Sequence, residues 1–196
     1  MNLIDRVKRI LLSPQPEWEV IDGEATTPSA LYTGYIIPLA AIGPIATVIG
    51  YSVFGIRMPF GGTVYRVPIG SAITSAIVTY VLTLVGVYVL SLIIDALAPT
   101  FGGTKSPIQA LKVATYSSTA AWVAGITAIL PGLRMLGLLG LYSVYLLYLG
   151  LPVLMKATKD RAVAYTVLVV VVEFVLFVMI GLLGTRFSGM RPMGAP

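Results

Sequence analysis

The sequence contains no cysteine and no histidine. Zinc sites of the Cys/His type, thiol nucleophiles, Ser-His-Asp triads and haem ligation through His or Cys are therefore excluded. Charge is scarce as well, because 11% of the residues are charged, against about 25% in a typical soluble domain. So little polar surface cannot cover a water-soluble globule, and lipid must be the solvent for much of this chain.

Apolar residues dominate the composition. They make up 57% of the chain, and the mean hydropathy is +0.93. The formal charge of +5 comes from bases dispersed at the ends of apolar runs, which is typical of membrane topology and not of a nucleic-acid-binding stripe. The first apolar run begins near residue 30 without a cleavage site, so we expect an uncleaved anchor and one membrane domain.

Five apolar runs are long enough to cross a hydrocarbon core of about 30 Å as helices that rise about 1.5 Å per residue. The predicted fold is all-α, a polytopic bundle of five transmembrane helices over residues 31–184, followed by a flexible tail at 185–196. Pro38 and Pro44 predict that the first span is kinked. The predicted spans cover residues 31–54, 71–97, 109–130, 135–155 and 162–184.

The first 30 residues are predicted to be cytosolic, beginning with a short amphipathic helix at the headgroup level. Its apolar positions recur at helical spacing, its bases Arg6, Lys8 and Arg9 face anionic lipid, and Trp18 is an interfacial anchor. An acidic cluster follows, made of Glu17, Glu19, Asp22 and Glu24. It is interpreted either as a solvated linker or as a divalent-cation site or a latch onto Lys105 and Lys112.

Glu173 lies almost at the midpoint of the last span. An ionised carboxylate is costly there, so we expect it to face other helices or a wet cavity, either as a functional group or as structural glue. Thr79 and Thr83 lie on a hydroxyl track along the second span. Other interior candidates are Asp95, as a cap or a partner of Lys112, and a snorkelling Lys112. Tyr142, Tyr145 and Tyr148 are interpreted either as an interior and interfacial aromatic face or as donors near Glu173.

The distribution of bases predicts an orientation. With the N-terminus inside, eight bases lie on the inner side and five on the outer side, which favours a cytoplasmic N-terminus and an external C-terminus. The eight are Arg6, Lys8, Arg9, Lys105, Lys112, Lys156, Lys159 and Arg161, and the five are Arg57, Arg66, Arg134, Arg186 and Arg191.

Several stretches in this order resemble the prokaryotic branch of the Yip1 family. They are DRVKRILLSPQPEWEVIDGE, LYTGYIIPLAAIGPIA, FGGTKSPIQALKVATYSSTAAWVAG and GLYSVYLLYLGLPVLMK. The resemblance implies a five-helix protein of a prokaryotic inner membrane with a cytosolic N-terminus. Eukaryotic relatives are associated with Rab GTPases and carry an Asp-Leu-Tyr-Gly-Pro motif, which this sequence lacks, so GTPase binding is not carried over.

Two functions remain open. The first is a non-enzymatic membrane protein that organises membrane or binds lipid or protein partners. The alternative is a transporter or channel for a small solute, a cation or protons that uses Glu173. No cofactor, metal or nucleic acid is expected, and an enzyme that pairs Asp95 with Glu173 is disfavoured because the two acids are too far apart. Small residues on the first span, Gly43, Ala46, Thr47 and Gly50, permit a homo-oligomer.

Overall fold

The computed structural model describes residues 2–57 and 64–187, and nearly all of them are helical. Two of the helices are irregular. The helix Pro28–Phe54 contains π-helical turns at Tyr32–Ile36 and Gly50–Phe54, and the helix Ile69–Leu97 is followed directly by a 3-10 turn at Ala98–Phe101. The helices are α1 Leu3–Leu12, α2 Pro14–Gly23, α3 Pro28–Phe54, α4 Ile69–Leu97, α5 Pro107–Ser117, α6 Thr119–Ala124, α7 Tyr142–Leu154 and α8 Lys159–Phe187.

Three shorter features complete the described chain. The loop between α3 and α4 begins and ends in a two-residue antiparallel ladder, β1 Ile56–Arg57 with β2 Val64–Tyr65. Helix α6 continues as a 3-10 segment, Gly125–Ile129, and a second one, Pro131–Leu141, leads into α7. Residues 185–187 of the predicted tail extend α8, and the rest of that tail lies outside the described residues.

Four helices of the described chain are long and apolar enough to cross a membrane. They coincide with the first, second, fourth and fifth predicted spans, and α3 is irregular as its prolines predict. Their bounds are Pro28–Phe54, Ile69–Phe101, Met135–Leu154 and Lys159–Leu183.

The predicted third span, 109–130, is helical but is not one continuous helix, so five spans stay a prediction. It breaks at Ser118, within a run of three hydroxyl residues. The Ser118 hydroxyl donates to the Ala114 carbonyl at 2.8 Å and the Thr119 hydroxyl donates to the Tyr116 carbonyl at 2.7 Å. Such side-chain bonds compete with the backbone ladder, which explains why the helix is interrupted here.

The core lies at the end of the bundle that holds the N-terminus. Every residue of α5 from Ala110 to Ser117 is buried, because α4 and α7 pack against this helix and side chains join it to α2. Ile10, Trp18 and Ile21 complete the core from α1 and α2, and none of them has any exposed surface. Towards the C-terminus of α8 the side chains are instead apolar and exposed, as Phe174 and Phe177 are at 64% and 71%, which is typical of a lipid-facing surface.

Contacts between segments that are distant in the sequence define the two ends of the bundle. At the first end, the Thr104 amide donates to the Met155 carbonyl at 2.8 Å, and Gln109 Nε2 donates to Asp22 Oδ1 at 3.0 Å. At the other end, Gly50 packs against the backbone of Ala128. The segment from α5 to Ile129 therefore runs from one end of the bundle to the other.

The small residues of α3 allow it to pack closely against another segment of the same chain. Gly50 approaches Ala128 so closely that an added Cβ would lie 2.1 Å from the Ala128 carbonyl oxygen. A Cβ added to Gly125 would lie 3.0 Å from the Gly43 Cα. This packing explains the small residues without a second copy, and the homo-oligomer stays a prediction.

Candidate functional site

Glu173 lines a cavity with a volume of about 310 Å³ between α4, α6 and α8. Helices α4 and α8 pack against each other in antiparallel directions, which brings the middle of α8 beside the second half of α4. Thr79 and Thr83 line the same cavity, as do Ser118 and Trp122. The structure thus brings together three of the predicted interior residues, Glu173, Thr79 and Thr83.

The Glu173 carboxylate has no hydrogen-bond or ion-pair partner among the residues that the structure describes. Within the part of the chain that the structure describes, no second charged side chain lines the cavity. Nearby hydroxyls already donate to their own helices, because Thr83 Oγ1 donates to the Thr79 carbonyl and Ser118 Oγ to the Ala114 carbonyl, both at 2.8 Å. The site therefore offers one carboxylate and a few hydroxyl oxygens that can accept hydrogen bonds.

The predicted tyrosines do not belong to this cavity. The Tyr142 hydroxyl donates to the Leu11 carbonyl at 3.1 Å, because this face of α7 packs on α1. Tyr145 lies beside Tyr142, with ring centroids 5.4 Å apart, and both Tyr145 and Tyr148 are exposed. The prediction that these residues supply donors near Glu173 is wrong.

Asp95 lies at the far end of α4 and caps the loop that follows. Its Oδ1 accepts from the Ser106 amide at 2.7 Å, directly before α5 begins. It is an interfacial cap, which is one of its two predicted roles, and it does not pair with Lys112. It does not line the Glu173 cavity, so the two acids are not a catalytic pair.

A second polar cluster, here called the N-terminal clamp, consists of Arg6, Glu17, Glu24, Lys112 and Tyr116. Arg6 is 5% exposed, and its Nη1 lies 2.5 Å from Glu17 Oε1 while Nη2 bonds to Glu24. Its guanidinium lies 5.6 Å from the centre of the Tyr116 ring, within reach of a cation–π interaction. The prediction that Arg6 faces anionic lipid is wrong, because Arg6 is buried and forms ion pairs with Glu17 and Glu24.

Electrostatics within the clamp keep Arg6 charged. Burial of the guanidinium opposes its charge, but the hydrogen bond that it donates to Glu24 and the charges of Glu24 and Glu17 raise the pKa of Arg6 above its ordinary value. Glu17 is 4% exposed, so Arg6 is the charge that compensates its burial. The clamp therefore ties α1 to α2 through a buried ion pair.

Lys112 ties α2 to α5. Its Nζ donates to the carbonyls of Ile21 at 2.8 Å and Glu24 at 2.6 Å, at the C-terminal end of α2, where a cation is favourable. Lys112 is 3% exposed, so the prediction that it snorkels to the surface is wrong. Its ammonium is satisfied by a helix end instead of by water.

The acidic cluster is neither a solvated linker nor a gathering of cation ligands. Helix α1 ends at Leu12, and Pro14 lies in the first turn of α2, where its missing amide costs no helical hydrogen bond, so the acidic residues lie on a second helix and at its end. Asp22 Oδ2 accepts from Lys156 Nζ at 2.6 Å, while Glu19 is exposed. Within the described ranges no group of three such acids could hold a metal ion. The latch interpretation is the nearest one, with Lys156 in place of Lys105.

Trp18 packs inside the protein and not at the membrane interface. Its side chain is 0% exposed, with its ring edge-on to Tyr116 at 6.3 Å and covered by Gly150. The prediction of an interfacial anchor is therefore wrong. Lys8 and Arg9 remain exposed on α1, as do the apolar side chains of Ile4 and Leu12 at 59% and 80%.

Sequence reasoning did not assign Tyr116, Gln109 or Lys156 to a site. All three contact the N-terminal pair of helices, whose residues lie far away in the chain. The one available signal was the amphipathic pattern of α1 and α2, which shows that each has a face to bury but not what covers it.

These features define a helical membrane protein in which the helix pair α1 and α2 packs against the bundle and Glu173 lines a cavity within it. The Yip1 domain family model matches residues 8–180, and the chain belongs to the Yip1 family, as its sequence motifs predicted. It is similar to the inner membrane protein YohC of Escherichia coli strains K12 and O6:H1, at 29% identity over 119 residues in each case. The match covers 60% of this chain and 60% of each relative. No solved structure matches the chain.

Proposed function

We propose that this protein is a non-enzymatic component of a prokaryotic inner membrane that binds anionic lipid through α1 and organises the membrane around it. The observation that carries the proposal is the free face of α1. Ile4 and Leu12 are exposed beside the bases Lys8 and Arg9, while Ile10 on the opposite face is fully buried in the core. Exposed apolar and basic side chains on one helix are typical of a headgroup-level surface.

The N-terminal clamp gives this face a fixed position. Arg6 and Lys112 join α1, α2 and α5 at the first end of the bundle, where Lys159 and Arg161 are also exposed. A docked helix loses less conformational freedom on meeting a lipid headgroup than a free segment would. The clamp therefore supports a preorganised lipid-binding surface.

The same arrangement supports a topology with five crossings, a cytoplasmic N-terminus and an external C-terminus. The segment from α5 to Ile129 joins the two ends of the bundle, so a broken helix supplies the crossing between α4 and α7. Breaks within a membrane are tolerated where neighbouring helices satisfy the backbone, and α5 is buried among three helices. The base count favours the end with Lys105, Lys156 and Lys159 as cytoplasmic.

Neutralising the bases of α1 is expected to remove its preference for anionic lipid. Each basic residue near an anionic surface contributes about 1 kcal/mol, so Lys8→Gln with Arg9→Gln should weaken retention of phosphatidylglycerol about 30-fold. Native mass spectrometry of the purified protein would count bound phosphatidylglycerol against phosphatidylcholine. Arg66→Gln, an exposed base outside α1, is the control.

The apolar part of the surface is tested with Ile4→Ser and Leu12→Ser, because Ile10 is a core residue whose replacement would disturb the fold. The variants must keep the melting temperature of the wild-type protein. If a folded Lys8→Gln/Arg9→Gln variant retains as much phosphatidylglycerol as Arg66→Gln does, α1 is not the lipid-binding surface.

A second function, transport of protons or a small cation, is favoured by one observation. Glu173 is an unpartnered carboxylate among the described residues, and it lines a cavity with two threonines in the middle of a span. Structural glue would show a bonded carboxylate, whereas ionisable groups without partners in a membrane mark ion or proton pathways.

Glu173→Gln is expected to reduce proton or cation flux into proteoliposomes about tenfold or more, because the amide cannot release a proton at the site. The matched control is Asp95→Asn, which keeps an acceptor for the Ser106 amide and lies outside the cavity. Equal flux in wild type and Glu173→Gln, or none in either, would remove this second function and leave the lipid-binding one.

A further inference from the structure

A second cavity adjoins that of Glu173. It has a volume of about 210 Å³ between α3 and α4, and it is lined by Thr47, Tyr51, Ser75 and Thr79 among others. Thr79 lines both cavities, so they are neighbours at this residue. The two cavities, which extend from the α3–α4 connection to Glu173, are here called the hydroxyl groove.

Helical spacing places three hydroxyl residues of α4 in succession along the hydroxyl groove. Ser75, Thr79 and Thr83 are four residues apart, so each lies about 6 Å further along the helix. The groove begins at the α3–α4 connection, where the Val67 amide donates to the Tyr51 carbonyl at 3.2 Å and both residues line the cavity. It therefore starts at the second end of the bundle, opposite the N-terminal clamp.

The way from Glu173 to the first end of the bundle is closed. Leu90 lines the cavity on this side, and beyond it Ile94 of α4 and Val169 and Tyr165 of α8 are buried, where α4 and α8 pack against each other. The Tyr165 hydroxyl also donates to the Ile94 carbonyl, which joins the two helices at this level. Water that reaches Glu173 along the groove would stop there.

The chemistry of the site suits a proton better than a metal ion. Metal cations such as Ca²⁺ and Mg²⁺ take six or more oxygen ligands, whereas Glu173 is the one charged group among the described residues that line the cavity. No other ionisable residue lines the cavity from the described parts of α4, α6 or α8. Threonine oxygens along the groove can hydrogen-bond water, because Thr47 Oγ1 and Thr83 Oγ1 already donate to their own helices.

We propose that Glu173 is a proton-binding carboxyl that exchanges with water from one side of the membrane only, through the hydroxyl groove. Any use of this carboxyl in transport rests on the second function proposed above. The access of water to Glu173 does not depend on transport and has its own test.

Single cysteines test the access, since the natural sequence has none. Thr79→Cys lies in the groove, and Val81→Cys, half-exposed on the other side of α4 at nearly the same depth, is its matched control. A membrane-impermeant maleimide reacts with the thiolate, which forms in water and not in hydrocarbon. Arg66→Cys and Lys159→Cys, both exposed in the native structure, mark the two sides.

Thr79→Cys is expected to react about tenfold or more faster than Val81→Cys, and only when the reagent is on the Arg66 side of sealed vesicles. Equal rates at both positions would show that lipid fills the groove and would overturn the proposal. Labelling of Thr79→Cys from the Lys159 side would overturn it as well.

The protonation of Glu173 is measured with a carbodiimide, which reacts with protonated carboxyls. Its adduct on the Glu173 peptide should decrease when the pH is raised on the Arg66 side, should not respond to the pH on the other side, and should be absent from Glu173→Gln. An adduct that responds to both sides would overturn one-sided exchange. One-sided labelling without any flux would refute transport while leaving the proton site in place.

Discussion

Arg6→Ala is expected to lower the free energy of unfolding by about 3–5 kcal/mol, because it leaves the buried Glu17 carboxylate without its ion-pair partner. Glu17 is 4% exposed and its ion-pair partner is Arg6. Without Arg6, Glu17 must either remain charged without compensation or take up a proton. Both routes weaken the attachment of α1 to α2, so the N-terminal pair of helices should also become sensitive to protease.

The measurement is the thermal unfolding midpoint in detergent, together with limited proteolysis of residues 2–27. Arg9→Ala is the matched control, since Arg9 is an exposed base on the same helix and its loss should change stability by about 0.5 kcal/mol or less. The double variant Arg6→Met/Glu17→Met distinguishes the uncompensated charge of Glu17 from other effects of losing Arg6. Apolar replacement of both charges is often neutral, so this variant should be more stable than Arg6→Ala. A single Arg6→Ala variant as stable as Arg9→Ala would contradict the clamp.

Gly50→Ala is expected to destabilise the protein by about 1–3 kcal/mol or more through overpacking. The added Cβ would lie 2.1 Å from the Ala128 carbonyl oxygen and 3.2 Å from that of Ile129. Both obstacles are backbone atoms, so no side-chain rotation relieves the clash. Helix α3 or the segment Gly125–Ile129 has to move.

Gly34→Ala in the same helix is the control and should have the opposite sign. Nothing lies within 4 Å of a Cβ at Gly34, and alanine is better than glycine within a helix by about 1 kcal/mol. Thermal midpoints of the two variants in one detergent give the comparison. If Gly50→Ala gains stability as Gly34→Ala does, then Gly125–Ile129 does not pack on α3.

The sequence predicts the long helices well, because an apolar run of this length has few other stable forms in a membrane. It also predicts that Glu173 and the threonines of α4 face a common interior, since ionisable and hydroxyl groups avoid lipid. The break at Ser118 was not predicted. Its cause is local, three consecutive hydroxyl residues, but the same residues also occur in unbroken helices when their hydroxyls point elsewhere.

The N-terminal clamp could not be predicted, for a physical reason. Amphipathic spacing shows that α1 has a face to bury, and both lipid and protein can cover such a face. Which of them does so depends on contacts with residues far along the chain, such as Lys112 with the Ile21 carbonyl across 91 positions. Tyr142 bonds to a backbone carbonyl, an acceptor that every residue carries, so no pattern of side chains marks its partner.

The docking of α1 on α7 also fixes when the N-terminus can finish folding during synthesis. The Leu11 carbonyl receives its bond from Tyr142, which lies 131 positions later in the chain. At about 5–20 residues per second, the ribosome needs roughly 7–26 seconds to make that stretch. Tyr116 of α5 can contact Trp18 before the end of this interval, but Gly150 of α7 covers the same ring and is made later. The cover of Trp18 is therefore incomplete until α7 emerges, and the nascent N-terminus is until then a substrate for chaperones or for the membrane surface.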